Sequence, residues 1–326
     1  MLSLEWICMR VKIFLSGIHP RSEDLINETR NYERGLTSYF ELENAFKRDA
    51  SKLIELQLSL GFYAISDGSL KWQDPIRPFI ESLEGVRLGE YSRWFGTNTF
   101  YRKPIVFGRI SLKDDVFSDY CFNYLIPSDQ IGLVMLPGPF TLSALSTNHY
   151  YKDFNDLMFE YSNALLELLK KVGMGRSFLL ILQEPSLVYE CSKPGVAQFP
   201  KIREALSNVI DLIPNTVIHT FFGDVGGVMD LLAGVENATI GLDLIETSLD
   251  SINGFKAHHL AFGILNSFNP FKEPKSFIKK YLELFRRLDL EEVSLMPNTD
   301  LRYLPRVYAD RKLKELSLLR KELEVI

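Results

Sequence analysis

Short β-branched or apolar runs recur along the chain, each stopped by Gly, Pro, Asp or Asn and each followed by a stretch of helical periodicity. No other feature constrains the fold as tightly, because strand and helix in alternation is the pattern of β-α units around a parallel sheet. Eight runs fit: residues 11–16, 62–66, 131–136, 178–183, 217–222, 239–243, 259–265 and 292–296. The segments 41–60, 153–172, 201–212, 225–233, 274–288 and 310–324 keep polar residues on one helical face. The repetition predicts an α/β fold, a closed (β/α)8 barrel of the TIM type, with residues 1–326 as a single domain. An open doubly wound sheet is the structural alternative, but the first turn, Ser16-Gly17-Ile18-His19-Pro20, is not the G-x-G-x-x-G of a dinucleotide fold.

Residues 84–129 interrupt the alternation between the second and third runs. They are rich in Tyr, Phe, Arg and Asn and broken by Gly96, Pro104 and Pro127. A long insertion after a barrel strand is expected to form a lid, a wall of the binding site or an interface. Composition removes several function classes. With 37 basic and 42 acidic residues spread along the chain and a net charge of −5, there is no Lys/Arg block for nucleic acid. Cys8, Cys121 and Cys191 are far apart and form no C-x-x-C, so neither a disulfide framework nor a cysteine-rich metal knot is expected. No apolar run approaches the roughly 20 residues of a membrane span, and Met1 to Gly17 has no cleavable leader. A soluble, cytoplasmic protein without a membrane partner is the expectation.

Barrel chemistry is done at the C-terminal ends of the strands. The polar residues there are His19 and Arg21, Asp67, Gln183 and Glu184, His219 and Asp224, Asp243 and Glu246, Asn266 and Asn269, and Asn298. Asp67, Glu184, His219 and Asp243 are the candidates for acid/base work. Strand-end Asp and Asn also commonly bond the backbone N–H groups of the next turn, and His219, between apolar neighbours, also reads as a satisfied barrel histidine. Glu184 ends an apolar run and needs a partner to offset its desolvation. No cysteine lies at a strand's C-terminal end, so no metal is expected on this chain, and a zinc–thiolate site least of all. In the insertion, Arg93, Arg102 and Lys103 stand among Trp94, Phe95, Phe100 and Tyr101, a mixture that suits a flat anionic ligand or an amphipathic lid.

These segments resemble those of one family, in order along the chain from about Gly17 to Leu304. Trp94-Phe95-Gly96-Thr97-Asn98-Thr99-Phe100-Tyr101 is similar to the W-F-x-T-N-Y-H-Y segment of the N-terminal domain of cobalamin-independent methionine synthase. Ile181 to Leu187 resembles its Q-I-D-E-P-A-L, Leu136 to Pro139 its L-L-G-P, and Thr220 to Gly223 its T-Y-F-G. Leu242 to Ile245 resembles its L-D-L-V, and Ser66 to Leu70 its G-D-F-S-L.

The family pairs two barrels and transfers a methyl group from a folate to homocysteine, with zinc held by His, Cys, Glu and Cys of the C-terminal barrel. Laid on that barrel, this chain keeps the His as His219 but has Phe221, Asp243 and Thr299 at the other three ligands. It also has Gln183 where a carboxylate would hold the homocysteine amine, and Ser69 for a Glu. The resemblance therefore implies the zinc-free N-terminal barrel. It further implies a methylated folate or pterin as donor, with Arg21, Arg93, Trp94, Asn98, Tyr101 and Lys103 as substrate-binding residues. The expected partner is a separate zinc-bearing methionine synthase catalytic barrel, without which this chain is inactive. Residues 23–27 have no lysine where the family has a basic stretch, which leaves room for another pterin or a methyl-carrying protein. An independent zinc-free enzyme of the same superfamily and a catalytically silent scaffold are the alternatives.

Overall fold

The computed structural model describes residues 10–113, 116–172, 177–190, 199–252, 259–274, 276–277, 281, 283–285, 288, 290 and 292–324. Its strands are β1 (Arg10–Ile13), β2 (Leu83–Arg93), β3 (Phe100–Leu112), β4 (Gly132–Pro137), β5 (Thr147–Asn148), β6 (Phe178–Gln183), β7 (Thr216–Thr220), β8 (Thr239–Asp243), β9 (Leu260–Leu265) and β10 (Glu292–Pro297). Seven of them form one parallel sheet in the order β1-β10-β9-β8-β7-β6-β4. All six residues of β4 and of β9 are buried, as expected of parallel strands covered on both faces.

Residues 62–66 are not a regular strand, although the sequence reads as one. They still fill the eighth place, between β1 and β4. Tyr63 N–H donates to Ile13 O at 2.9 Å, Ile65 N–H to Ile131 O at 2.9 Å, and Leu133 N–H to Ile65 O at 2.8 Å. These bonds join the two outer strands of the curled sheet, which has the TIM-barrel form.

The helices behave as amphipathic crossovers. Phe154–Val172 buries Leu157, Met158, Tyr161, Leu165 and Leu168 against the sheet, a three-and-four spacing. Phe199–Leu212 buries Ile202, Ala205, Leu206, Val209 and Ile210 in the same way. A capping box of Ser38 and Glu41 starts Tyr39–Ser59. Residues 225–233 divide into a 3-10 turn, Val225–Val228, and a short helix, Met229–Ala233. Part of the expected 274–288 helix, together with Cys8, Cys191 and His258, lies outside the described residues. Among the described residues no helix is long and apolar enough to cross a membrane.

Most of the expected 84–129 insertion is an antiparallel hairpin of β2 and β3, extended by the short parallel β5. Its register shifts between Glu84 and Val86 and between Leu88 and Tyr91. Residues 94–99 form its tip, held by Trp94 N–H on Thr99 O at 2.9 Å and Thr97 N–H on Trp94 O at 3.1 Å. Two 3-10 turns, Phe117–Tyr120 and Asn123–Leu125, lead from the hairpin to β4.

Candidate functional site

The C-terminal ends of β1, β6, β7 and β10 converge on a knot of buried polar groups. Gln183 Nε2 donates to Ser16 O at 2.9 Å, and Ser16 Oγ donates to Pro297 O at 2.6 Å. Ile18 N–H donates to Asp300 Oδ1 at 3.0 Å. Asp300 crosses so close to the first turn that a Cβ on Gly17 would lie 2.2 Å from Oδ1, so only glycine fits there. Burial raises the Asp300 carboxyl above its usual value, and the Arg302 guanidinium, with Nε 3.1 Å from Oδ2, pulls the other way.

His219 lies in this knot, fully buried, beside the backbones of Ser16 and Asn298. The Ser16 and Asn298 backbones are its hydrogen-bond partners, at geometry short of a full bond at either ring nitrogen, while Gln183 Oε1 and Thr299 Oγ1 have no partner among the described residues. Buried polar atoms are satisfied in most proteins, so such a cluster marks a place where a ligand or a rearrangement would complete the bonding. Burial lowers the His219 pKa to about 3, which keeps the imidazole neutral across the physiological range.

The three candidate carboxylates are engaged differently. Asp67 accepts from Ser69 N–H at 2.8 Å and Phe122 N–H at 2.6 Å, and burial raises its pKa. Glu184 accepts from Phe140 N–H at 3.0 Å, and from Thr141 N–H at 2.7 Å and Oγ1 at 2.6 Å, at the start of the helix Pro139–Leu145. Burial pushes Glu184 up to about 7 against those three bonds. Asp243 accepts from Ile245 N–H at 2.9 Å and from Asn298 Nδ2 at 3.2 Å, and burial pushes it, too, up to about 7. Each of the three carboxylates accepts from backbone N–H groups, Asp67 and Glu184 across the fold and Asp243 in the turn that follows β8.

Above the knot sits a collar of aromatic rings. Phe95 at the hairpin tip packs on Phe222 at 5.4 Å and on Tyr189 at 5.2 Å between centroids. Phe222 continues to Phe221, which contacts His219 at 4.9 Å, and to Phe268, which stacks on Tyr303 at 4.4 Å. Phe95 and Phe222 both have left-handed backbone, at φ of 48° and 69°. That conformation is uncommon for a bulky residue and collects at functional sites. Arg302 ties the hairpin tip to the barrel through Thr99 Oγ1 at 3.3 Å and Gln73 O at 3.4 Å.

Of the expected substrate-binding residues, Trp94 is buried at the collar, edge-on to Phe95 and Tyr101, and its Nε1 has no partner among the described residues. Tyr101 is buried behind it. Arg21 lines a cleft of about 760 Å³ beside the first turn, with Arg302 and Arg306, and its Nε donates to Leu70 O at 2.8 Å. Arg93 and Asn98 are exposed and Lys103 is half-buried on the hairpin, away from the knot's own contacts. Phe222, Phe268, Tyr303 and Arg302 were not expected. The Phe221-Phe222 pair, in an apolar run that ends on Gly223, was the available signal for one of them.

The donor set does not fit a thiol-activating zinc. Beside the His219 imidazole stand the Phe221 ring, at 4.9 Å between centroids, and Gln183, its partner in the sheet, and neither supplies a thiolate. Among the described residues no three His, Cys, Asp or Glu side chains gather as metal ligands.

Comparison with known proteins agrees with the architecture. The family model for the N-terminal domain of cobalamin-independent synthase matches residues 84–289. A methionine synthase of Sulfurisphaera tokodaii is 23% identical over 94% of this chain and 92% of its own length. A B12-independent methionine synthase from Shewanella sp. W3-18-1, solved in complex with selenomethionine, superposes with a TM-score of 0.75 at 18% identity, covering 98% of this chain and 100% of that one. A putative vitamin-B12-independent methionine synthase from Listeria monocytogenes also gives a TM-score of 0.75, at 17% identity over 96% and 98% of the two chains. The family model spans more than half of the sequence, and the chain belongs to the cobalamin-independent synthase N-terminal domain family.

Proposed function

We propose that this chain is the donor-binding component in methyl transfer from a methylated folate or pterin to homocysteine. The observation that carries the reading is the barrel mouth itself: an aromatic collar over a neutral imidazole, with no thiolate donor beneath it among the described residues. Flat rings suit the collar, since Phe95, Phe222 and Tyr303 offer faces and Trp94 Nε1 an unused donor. Homocysteine's thiol is mostly protonated at neutral pH and is a poor nucleophile in that form. Its activation falls, in this reading, to a separate zinc-bearing methionine synthase catalytic barrel docked over the mouth.

Equilibrium dialysis of a methylated folate against the purified chain tests donor binding. The expected result is saturable binding that Phe222→Ala weakens about tenfold or more, the loss of one stacked aromatic contact and its buried area. Absence of saturable binding by the unmodified chain contradicts the reading. A second reading, in which the chain forms methionine unaided, is favoured by its match along nearly the whole length of a relative named methionine synthase.

A further inference from the structure

The hairpin tip is fixed to the barrel by a chain of hydrogen bonds whose direction can be assigned. Thr97 Oγ1 lies 2.7 Å from Trp94 O, and a carbonyl only accepts, so the Thr97 hydroxyl donates there. Its proton is then spent, so in the 2.8 Å contact between Thr97 Oγ1 and Thr99 Oγ1 the donor is Thr99. Thr99 Oγ1 keeps its lone pairs, and Arg302 Nη2 donates to it at 3.3 Å. The relay therefore runs from Arg302 through two hydroxyls to the carbonyl of Trp94, each hydroxyl accepting a bond and passing one on. Hydrogen bonds in such a chain polarise one another, and Thr97 is buried, where an unmade bond is costly.

Both ends of the relay are anchored where position matters. Arg302 Nε lies 3.1 Å from Asp300 Oδ2, and Asp300 Oδ1 accepts from Ile18 N–H at 3.0 Å. Arg302 N–H in turn donates to Ile18 O at 3.0 Å, so the guanidinium is set by the first turn of the barrel. At the other end the Trp94 carbonyl belongs to the peptide that enters Phe95, whose backbone is held at φ of 48°. A phenylalanine leaves that left-handed conformation unless its surroundings enforce it. We propose that Arg302 is a positioning residue. Acting through Thr99 and Thr97, it holds Phe95 in its left-handed backbone and so keeps that ring over the barrel mouth, against Phe222 and Tyr189. The relay is independent of what binds at the mouth; its effect on ligand affinity rests on the donor-binding reading.

Hydrogen exchange of residues 94–99 in the ligand-free full chain, read by mass spectrometry, and equilibrium dialysis of a methylated folate test this together. Thr99→Val removes the hydroxyl, Thr99→Ser keeps it, and Arg302→Met removes the donor. Thr99→Val and Arg302→Met are each expected to speed exchange at the tip and to weaken binding by about tenfold, the scale of one hydrogen bond to a charged group. Because the two residues act in series, the double variant should be no worse than the poorer single one, and Thr99→Ser should match the parent. Effects that multiply in the double variant overturn the proposal. So does a tip that exchanges at the parent rate in Thr99→Val, or as fast in Thr99→Ser as in Thr99→Val. Arg302→Met also strands Asp300, so if that variant fails to fold the two Thr99 variants decide alone. If the parent binds no methylated folate, the donor-binding reading fails and the exchange rates still decide the relay.

Discussion

Glu184→Ala is expected to lower the unfolding free energy by about 3–5 kcal/mol, the scale of stranding several buried hydrogen-bond donors and opening a cavity together. Glu184 is completely buried at the end of β6, and its two oxygens hold Phe140 N–H, Thr141 N–H and Thr141 Oγ1. Alanine would strand those donors at the start of Pro139–Leu145 and leave a cavity against Gly138, where a Cβ added to the glycine would lie 2.1 Å from Glu184 Oε1. Glu184→Gln keeps the shape but turns an amide N–H₂ toward donors, so a loss of about 1–3 kcal/mol is expected. Urea unfolding followed by circular dichroism measures both. A Glu184→Ala variant as stable as the parent would mean that the carboxylate is not the anchor of that helix, and its role as an acid or base would return to consideration.

Lys312→Ala should be as severe, about 3–5 kcal/mol, the scale seen when one partner of a buried ion pair is removed. The Lys312 and Glu273 side chains are 2% and 5% exposed and form an ion pair. Lys312 Nζ also donates to Phe271 O at 2.6 Å, and Glu273 Oε1 accepts from Asn266 N–H at 2.9 Å. Together they fasten residues 266–273, and with them Phe268 of the collar, to the helix Arg306–Glu324. Truncating the lysine leaves a buried carboxylate uncompensated. Lys312→Met combined with Glu273→Gln removes both charges while keeping the acceptor for Asn266, and should recover most of the loss. Thermal unfolding of the single and double variants reads the difference, and a double variant no better than Lys312→Ala would show that the pair is not what secures the loop.

The barrel was legible in the sequence because its strands are buried on both faces and read as near-continuous apolar runs such as Phe178–Gln183. Residues 62–66 read equally well as a strand. They bond to both neighbours at only a few positions, and that difference lies in backbone geometry that composition does not record. The strand-end carboxylates were visible, but their roles were not. Asp67, Glu184 and Asp243 answer the needs of nearby backbone N–H groups, an ordinary use of such side chains. The collar was the least legible part. Phe95, Phe222, Phe268 and Tyr303 come from four separate segments, and nothing local says that they meet. Phe222 in particular looks like strand until its backbone turns left-handed at 69°. The Lys312–Glu273 pair, 39 residues apart, is hidden for the same reason.

The most direct test is methionine formation from homocysteine and a methylated folate, first with this chain alone and then with a separately purified zinc-bearing methionine synthase barrel. The account predicts no product from the chain alone and product from the mixture above that of the zinc barrel by itself. Methionine made by this chain alone, after removal of metal from every reagent, would contradict the division of labour between donor binding and thiol activation.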